Sequence, residues 1–196
     1  METSIYIFIR GMNEIIFHAR IYEGKFAGLF NSVYTKEDFM DEQSRKTALR
    51  MLSYGVYILT SKFEDNYCAA TVTWASQASF DPPLISVCLK RDSASYTAVK
   101  ERGEFLLHLL GQDQKDLAAS FFKLSILDNG LINGQKYQLK DDLPLLMAVP
   151  AYIKCRVLDI LEKGDHTLFL AEVIDAVVNK ESKPLELRKT DWSYGG

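Results

Sequence analysis

Runs of alternating apolar and polar residues dominate this chain, and they predict a mostly β protein with a few helices. Val56 to Thr60, Tyr67 to Thr73, Leu84 to Leu89, Glu104 to Leu110, Tyr152 to Leu161 and Thr167 to Val178 read as strands, rich in branched and aromatic residues. Lys62 to Asn66 reads as a polar turn, and Asp81-Pro82-Pro83 punctuates the path into the Leu84 strand. The last two strands form a hairpin across Glu162 to Asp165, where Gly164 supplies the residue with positive φ.

Helical spacing marks three further stretches. Thr35-Lys36-Glu37-Asp38 opens a helix that runs to Met51 or Leu52, with Ala48, Met51 and Leu52 as its buried stripe. Ser95 to Arg102 is a second helix, closed by Gly103. A third is capped by Asp113 and carries Asp116, Leu117, Ala118, Phe121 and Phe122. Leu124 to Lys140 is expected to be loop, turning at Asn129-Gly130 and Asn133-Gly134.

The stretch from Asn66 to Ser95 concentrates the candidate chemistry. Thr71, Thr73, Ser76, Gln77 and Ser79 offer hydrogen-bonding groups, and Trp74 adds a flat apolar face. Ala69, Ala70 and Ala75 allow a planar group to approach the backbone. Lys90 and Arg91, with Ser93 and Ser95, lead into a helix start, a combination suited to an anion. One end thus suits a heteroaromatic ring and the other a phosphate, as in flavin mononucleotide (FMN). The same residues equally describe an ordinary strand and a capped helix, and alone they do not choose between the two.

With 196 residues and 47% hydrophobic content, one domain with a substantial core is the natural expectation. A net charge of −3 offers no electrostatic footprint for nucleic acid. Cys68, Cys88 and Cys155 are odd in number and lack paired spacing, which argues against a disulfide framework and a structural zinc site and fits a reducing cytoplasm. Ile5 to Phe17 is too short and too interrupted to span a membrane, and it makes a poor signal peptide. No metal cluster, Walker-type loop or nucleophile with a paired base is visible.

Three blocks in order, GVYILTS (Gly55 to Ser61), ATVTWASQASFDPPLISVCL (Ala70 to Leu89) and GDHTLFLAEV (Gly164 to Val173), resemble the flavin reductase-like family. They are also similar to the flavin reductase-type module of some flavodiiron proteins. The likeness runs from about Lys46 to about Arg188. It implies a mainly β fold with peripheral helices, the FMN-binding split β-barrel, over residues 35–196. Residues 1–34 would be an extension: an added strand, a dimer arm or an over-long start before Met12.

The resemblance also implies a site. Tyr67, Cys68, Ala69, Ala70, Thr71, Thr73 and Trp74, continuing into Ala75 and Ser76, would meet the flavin ring and ribityl chain. Cys88, Leu89 and Lys90 would flank the ribityl and phosphate, Ser93 and Ser95 would bind phosphate oxygens, and Arg91 would add charge. Ser120 and Phe121 would approach the flavin. His166, in the GDH block, would contact the nicotinamide as the catalytic residue, with Arg188 and Lys189 reaching the dinucleotide phosphates. The pattern departs from the family at Ala69, often glycine, at Trp74, where a smaller polar residue is usual, and at His108, often asparagine and so a candidate for a flavin-side hydrogen bond. Without the family, His108 reads as a satisfied strand histidine, and His166 as a strand-start residue beside a turn-capping Asp165.

The implied activity is hydride transfer from NADH or NADPH to FMN or FAD, supplying a partner oxygenase or flavodiiron-type acceptor. The alternative is a flavoredoxin-like FMN carrier reduced by a protein. A homodimer is implied, without nucleic acid, membrane or metal. The tail, Asp191 to Gly196, carries two aromatics that either cover a ring or a partner subunit, or fray.

Overall fold

A computed structural model describes residues 3–8, 16–21 and 41–195. They fall into two compact units, one of residues 1–51 with 195–196 and one of residues 52–194. The expected boundary at residue 34, and the helix start at Thr35 to Asp38, lie outside the described residues.

In the first unit, β1 (Thr3–Phe8) pairs antiparallel with β2 (Ile16–Ile21), Thr3 opposite Ile21. Helix α1 (Glu42–Arg50) begins at Asp41, whose carboxylate accepts from the Ser44 amide at 2.6 Å. Glu42 pairs with Lys46 at 2.9 Å, one turn on. The predicted buried stripe is not there. No residue of α1 is buried, and Met51, just past its end, is 80% exposed. Seven of the nine residues in EQSRKTALR are polar, so capping and ion pairs, rather than an apolar face, mark this helix.

The second unit is built on a seven-stranded antiparallel sheet. Its strands are β3 (Tyr57–Phe63), β4 (Asn66–Val72), β5 (Ala75–Ser79), β6 (Leu84–Lys90), β7 (Glu104–Leu109), β12 (Ala151–Leu161) and β13 (His166–Val178). They lie in the order β4-β3-β7-β12-β13-β6-β5. The sheet does not close on itself, as a split barrel requires. Two expectations change. The predicted turn at Lys62 to Asn66 shrinks to Glu64-Asp65, because β3 and β4 keep pairing out to Phe63 and Asn66. The polar residues after Trp74 form β5, an edge strand on β6, where short hydroxyl and amide side chains suffice because they face water.

A smaller sheet occupies the segment expected to be loop. There β8 (Leu127–Asp128), β9 (Leu131–Ile132), β10 (Gln135–Lys140) and β11 (Leu143–Leu146) run antiparallel. Asn129-Gly130 and Asn133-Gly134 turn its hairpins with positive φ at both residues. Gly164, by contrast, does not adopt positive φ.

Alternation along the strands feeds two cores. Ile58 points into one with Val56, Leu110, Phe121 and Leu187, while its neighbour Leu59 points into another with Val87, Phe105, Cys155 and Phe169. His108 is fully buried. Its Nδ1–H donates to the Ile58 carbonyl at 3.0 Å, and its Nε2 accepts from the Leu146 amide at 3.1 Å. The ring therefore ties β7 to β3 and β11 as a satisfied core group. Burial holds it neutral, its pKa pushed down to about 4.

Two helices frame the site. Helix α2 (Ala94–Arg102) starts at Ser93, whose hydroxyl accepts from the Tyr96 amide at 3.1 Å and donates to the Lys90 carbonyl at 2.7 Å. Gly103 ends it at φ 71°, its amide bonded to Val99. Helix α3 (Lys115–Ala119) begins at Gln114 rather than the expected Asp113, and it stops before Phe121 and Phe122. The Gln114 side chain accepts from the Gly111 amide and donates to the Ala148 carbonyl.

Candidate active site

A cavity of about 740 Å³ opens between the β4 edge, the end of β6, the start of α2 and the segment after α3. That volume lies within the usual range for small-molecule and cofactor sites. Its wall is strand β4 and the two residues beyond it. Ala69, Ala70 and Thr71 present little side chain there, and Thr73 and Trp74 continue the lining. Because β4 is an edge strand, its outward amides need partners. Ala69 N donates to the Ser125 hydroxyl at 2.7 Å, which donates back to the Ala69 carbonyl at 3.1 Å. Thr71 N donates to the Phe121 carbonyl at 3.3 Å, and the Thr71 hydroxyl to the Ala118 carbonyl at 2.6 Å. The segment after α3 is thus laced to the strand edge.

A second part of the lining is polar. Lys90, Asp92, Ser93 and Ser95 form it where β6 turns into α2. The first-turn amides of a helix lack internal partners and carry the positive end of its dipole. Ser95 is buried, its hydroxyl 3.5 Å from the Cys68 sulfur. Burial raises the thiols of Cys68 and Cys88, so both stand in the wall as neutral groups. Lys90 lies 2.9 Å from Asp92, which raises the amine and lowers the carboxyl.

The donor set fits a flavin. Thr73 Oγ1 and Trp74 Nε1 are buried without a protein partner, both on residues of the lining. Unpaired buried donors are costly unless a ligand meets them. One lining thus holds two residues with unmet buried polar atoms and the start of a helix, whose free amides suit an anion.

Of the residues expected at the cofactor, Cys68, Ala69, Ala70, Thr71, Thr73, Trp74, Cys88, Leu89, Lys90, Ser93, Ser95 and Phe121 come together around this cavity. Ala75 and Ser76 do not, since they enter β5 opposite Val87 and Ser86. Ser120 turns its hydroxyl back to the Leu117 carbonyl at 2.7 Å, and Tyr67 packs on Tyr137. Arg91 donates its backbone amide to the Asp165 carbonyl and lies outside the lining. Arg188 and Lys189 are held by Glu186 at 2.5 and 2.9 Å and are not part of the lining, which their neighbour Leu187 joins. His108 is also outside it, so its difference from asparagine bears on the core rather than on the cavity.

His166 stands just behind the wall. Its Nε2 meets the Tyr194 hydroxyl at 2.7 Å, its Nδ1 meets Asp165 at 3.0 Å, and its ring centre lies 4.5 Å from that of Trp74. The hydrogen bond from His166 lowers the Asp165 carboxyl. Trp192, Ser193 and Tyr194 line the cavity with Trp74. Trp192 packs edge-on against Phe122 at 4.6 Å, beneath the Lys115 amine, and Lys115 also pairs with Asp191. The tail's aromatics were visible as a possible ring cover in the sequence, whereas Ser125 gave no sign of its place at the strand edge.

The Flavin reductase like domain family matches residues 49–192, and the chain belongs to that family. Among its relatives is the reductase component of 4-nitrophenol 4-monooxygenase/4-nitrocatechol 2-monooxygenase from Rhodococcus opacus. It is 28% identical over 139 residues, covering 70% of this chain and 72% of the relative. The NADH:FMN oxidoreductase of Rhodococcus erythropolis is 30% identical over 152 residues, covering 76% and 78%. The solved styrene monooxygenase flavin reductase of Pseudomonas putida S12 superposes with a TM-score of 0.62 at 28% identity, covering 72% of this chain and 90% of that one.

Proposed function

We propose that the chain is an NAD(P)H-dependent flavin reductase that holds FMN in the 740 Å³ cavity and furnishes reduced flavin to an oxygenase. The observation that carries this reading is the pairing of two unmet buried donors, Thr73 Oγ1 and Trp74 Nε1, with the start of α2 in one cavity. Relatives named as an NADH:FMN oxidoreductase and as a monooxygenase reductase component support the donor, the flavin and the partner.

Bound flavin supplies the hydride acceptor, and a reduced nicotinamide supplies the hydride. The protein's work is positional. Ala69, Ala70 and Thr71 would allow close approach to the strand, Thr73 and Trp74 would offer hydrogen bonds, and Lys90, Ser95 and the α2 amides would hold the phosphate. The Ser93 hydroxyl already serves the helix cap, so its contribution is to fix those amides. Apolar walls exclude water from the rings. His166 marks the side from which the nicotinamide would enter, screened there by Trp74 and Tyr194, and Asp165 accepts from its Nδ1–H.

The exposed apolar run through Phe122, Leu124 (78% exposed) and Ile126, beside the cavity, supports a homodimer. Three free cysteines support a reducing cytoplasm.

The test is a spectrum. The purified protein, titrated with FMN, is expected to bind close to one flavin per chain and to bleach within seconds when NADH or NADPH is added without oxygen. Flavin that binds but stays oxidised with both nucleotides would refute the reductase. Failure to bind FMN or FAD would refute the site.

A further inference from the structure

We infer that Tyr194 gates the hydride donor: its hydroxyl and the nicotinamide carboxamide compete for the same lone pair on His166. This rests on the reading of the cavity as a flavin site with His166 on its donor side.

The tautomer of His166 makes the competition specific. Asp165, a carboxylate, can only accept, so Nδ1 carries a proton, 3.0 Å from Asp165 Oδ1. When the ring carries only this proton, Nε2 is an acceptor, and the Tyr194 hydroxyl stands 2.7 Å from it. A carboxamide N–H is also a donor. Both cannot use one ring nitrogen at once. Trp74 stands 4.5 Å from the His166 ring and 5.3 Å from Tyr194, so the indole closes a third side. With these contacts made, the His166 side chain is only 12% exposed and does not line the cavity, whereas Trp74 and Tyr194 do.

Of the three groups around His166, Tyr194 is the one that can leave. Asp165 is its chain neighbour, and Trp74 is built into the link between β4 and β5. Tyr194 is 45% exposed and follows a tail anchored upstream. That anchor is Lys115, which pairs with Asp191 and lies over Trp192, itself packed on Phe122. Tyr194 can therefore swing while Trp192 stays. Opening breaks one hydrogen bond and two ring contacts. A closed state favoured about tenfold would weaken apparent donor affinity by about the same factor.

The experiment uses full-length, FMN-saturated protein as wild type, Tyr194→Phe and Tyr194→Ala. NAD⁺ and NADP⁺ serve as non-reducing donor analogues, with binding read from the flavin absorbance shift. The dinucleotide whose reduced form bleaches the flavin is expected to bind about tenfold more tightly to Tyr194→Ala and a few-fold more tightly to Tyr194→Phe, with a matching fall in the KM of its reduced form. Unchanged or weaker dinucleotide binding in both variants would overturn the gate. His166→Ala is the control: undiminished dinucleotide binding there removes the contested acceptor and overturns the gate, while leaving the flavin site intact. Loss of flavin binding in the wild type would instead refute the underlying reading.

Discussion

The pH dependence of stability provides a sharp test of the core, through His108. Its ring is fully buried and doubly bonded as the neutral form, with a pKa near 4 in the fold against 6.5 for the free side chain. As pH falls below 6.5 the unfolded chain takes up this proton and the folded chain does not. The neutral ring's contribution is thus fully present above pH 6.5 and is lost as pH falls toward 4. Between pH 6.5 and 4.5, proton uptake by the unfolded chain alone comes close to about 1.4 kcal/mol per pH unit; from a plateau above pH 7, the loss by pH 4.5 sums to about 2.5 kcal/mol. Only the lower end of this window overlaps the range in which the unfolded chain protonates carboxyls that the fold lowers, such as Asp141 and Glu104. The assay is urea unfolding at half-unit pH steps for wild type and His108→Asn. The amide of asparagine keeps a donor for Ile58 but leaves the Leu146 amide unmet, so the variant should be less stable at pH 7.5 by about 1–3 kcal/mol. It should lack the wild type's slope, and the two curves should converge as pH falls. Parallel curves would show that His108 is not the group responsible.

Three other outcomes are expected. Gly103→Ala should cost about 1 kcal/mol in urea unfolding, because φ is 71° and no atom crowds the added methyl; a neutral result would contradict the left-handed cap. Ser93→Ala should cost about 1 kcal/mol in the flavin-free protein through the lost α2 cap, and unchanged stability would mean that the Tyr96 amide does not depend on that hydroxyl. Trp74→Phe keeps an aromatic face but removes the unmet N–H, so fluorescence titration should show FMN binding weakened about fivefold; undiminished affinity would detach Nε1 from the flavin.

Strand periodicity was legible because each major strand feeds a core. Ile58 and Leu59 face opposite ways, and the alternation records it. Helix α2 was legible through Gly103, which closes it, whereas its cap falls on Ser93, a residue read in sequence as an anion ligand. Strand β5 was not, because an edge strand facing water needs no apolar alternation, and its polar residues look like a turn. The small sheet hid in the same way: its β8 and β9 are two residues each, so only the Asn-Gly turns announced them. In the site, contiguous residues were readable as a block, while Ser125 and Tyr194 reach the cavity from distant segments. A serine that satisfies a strand edge has no local signature. Arg188 and Lys189 looked free in sequence, but Glu186 lies two and three positions away and takes both cations.

The character of β5 has a bearing on solubility. An open sheet leaves two borders, and β5 lies on one of them with Ser76 and Gln77 turned to water. Its register breaks between Gln77 and Ser79, an irregularity that interrupts the flat row of peptide groups a second molecule could zip onto. Small polar side chains and a bulge thus act as a guard against intermolecular sheet growth. Replacing Ser76 and Gln77 with valine would strengthen the strand in isolation, yet turn this border into a template for aggregation.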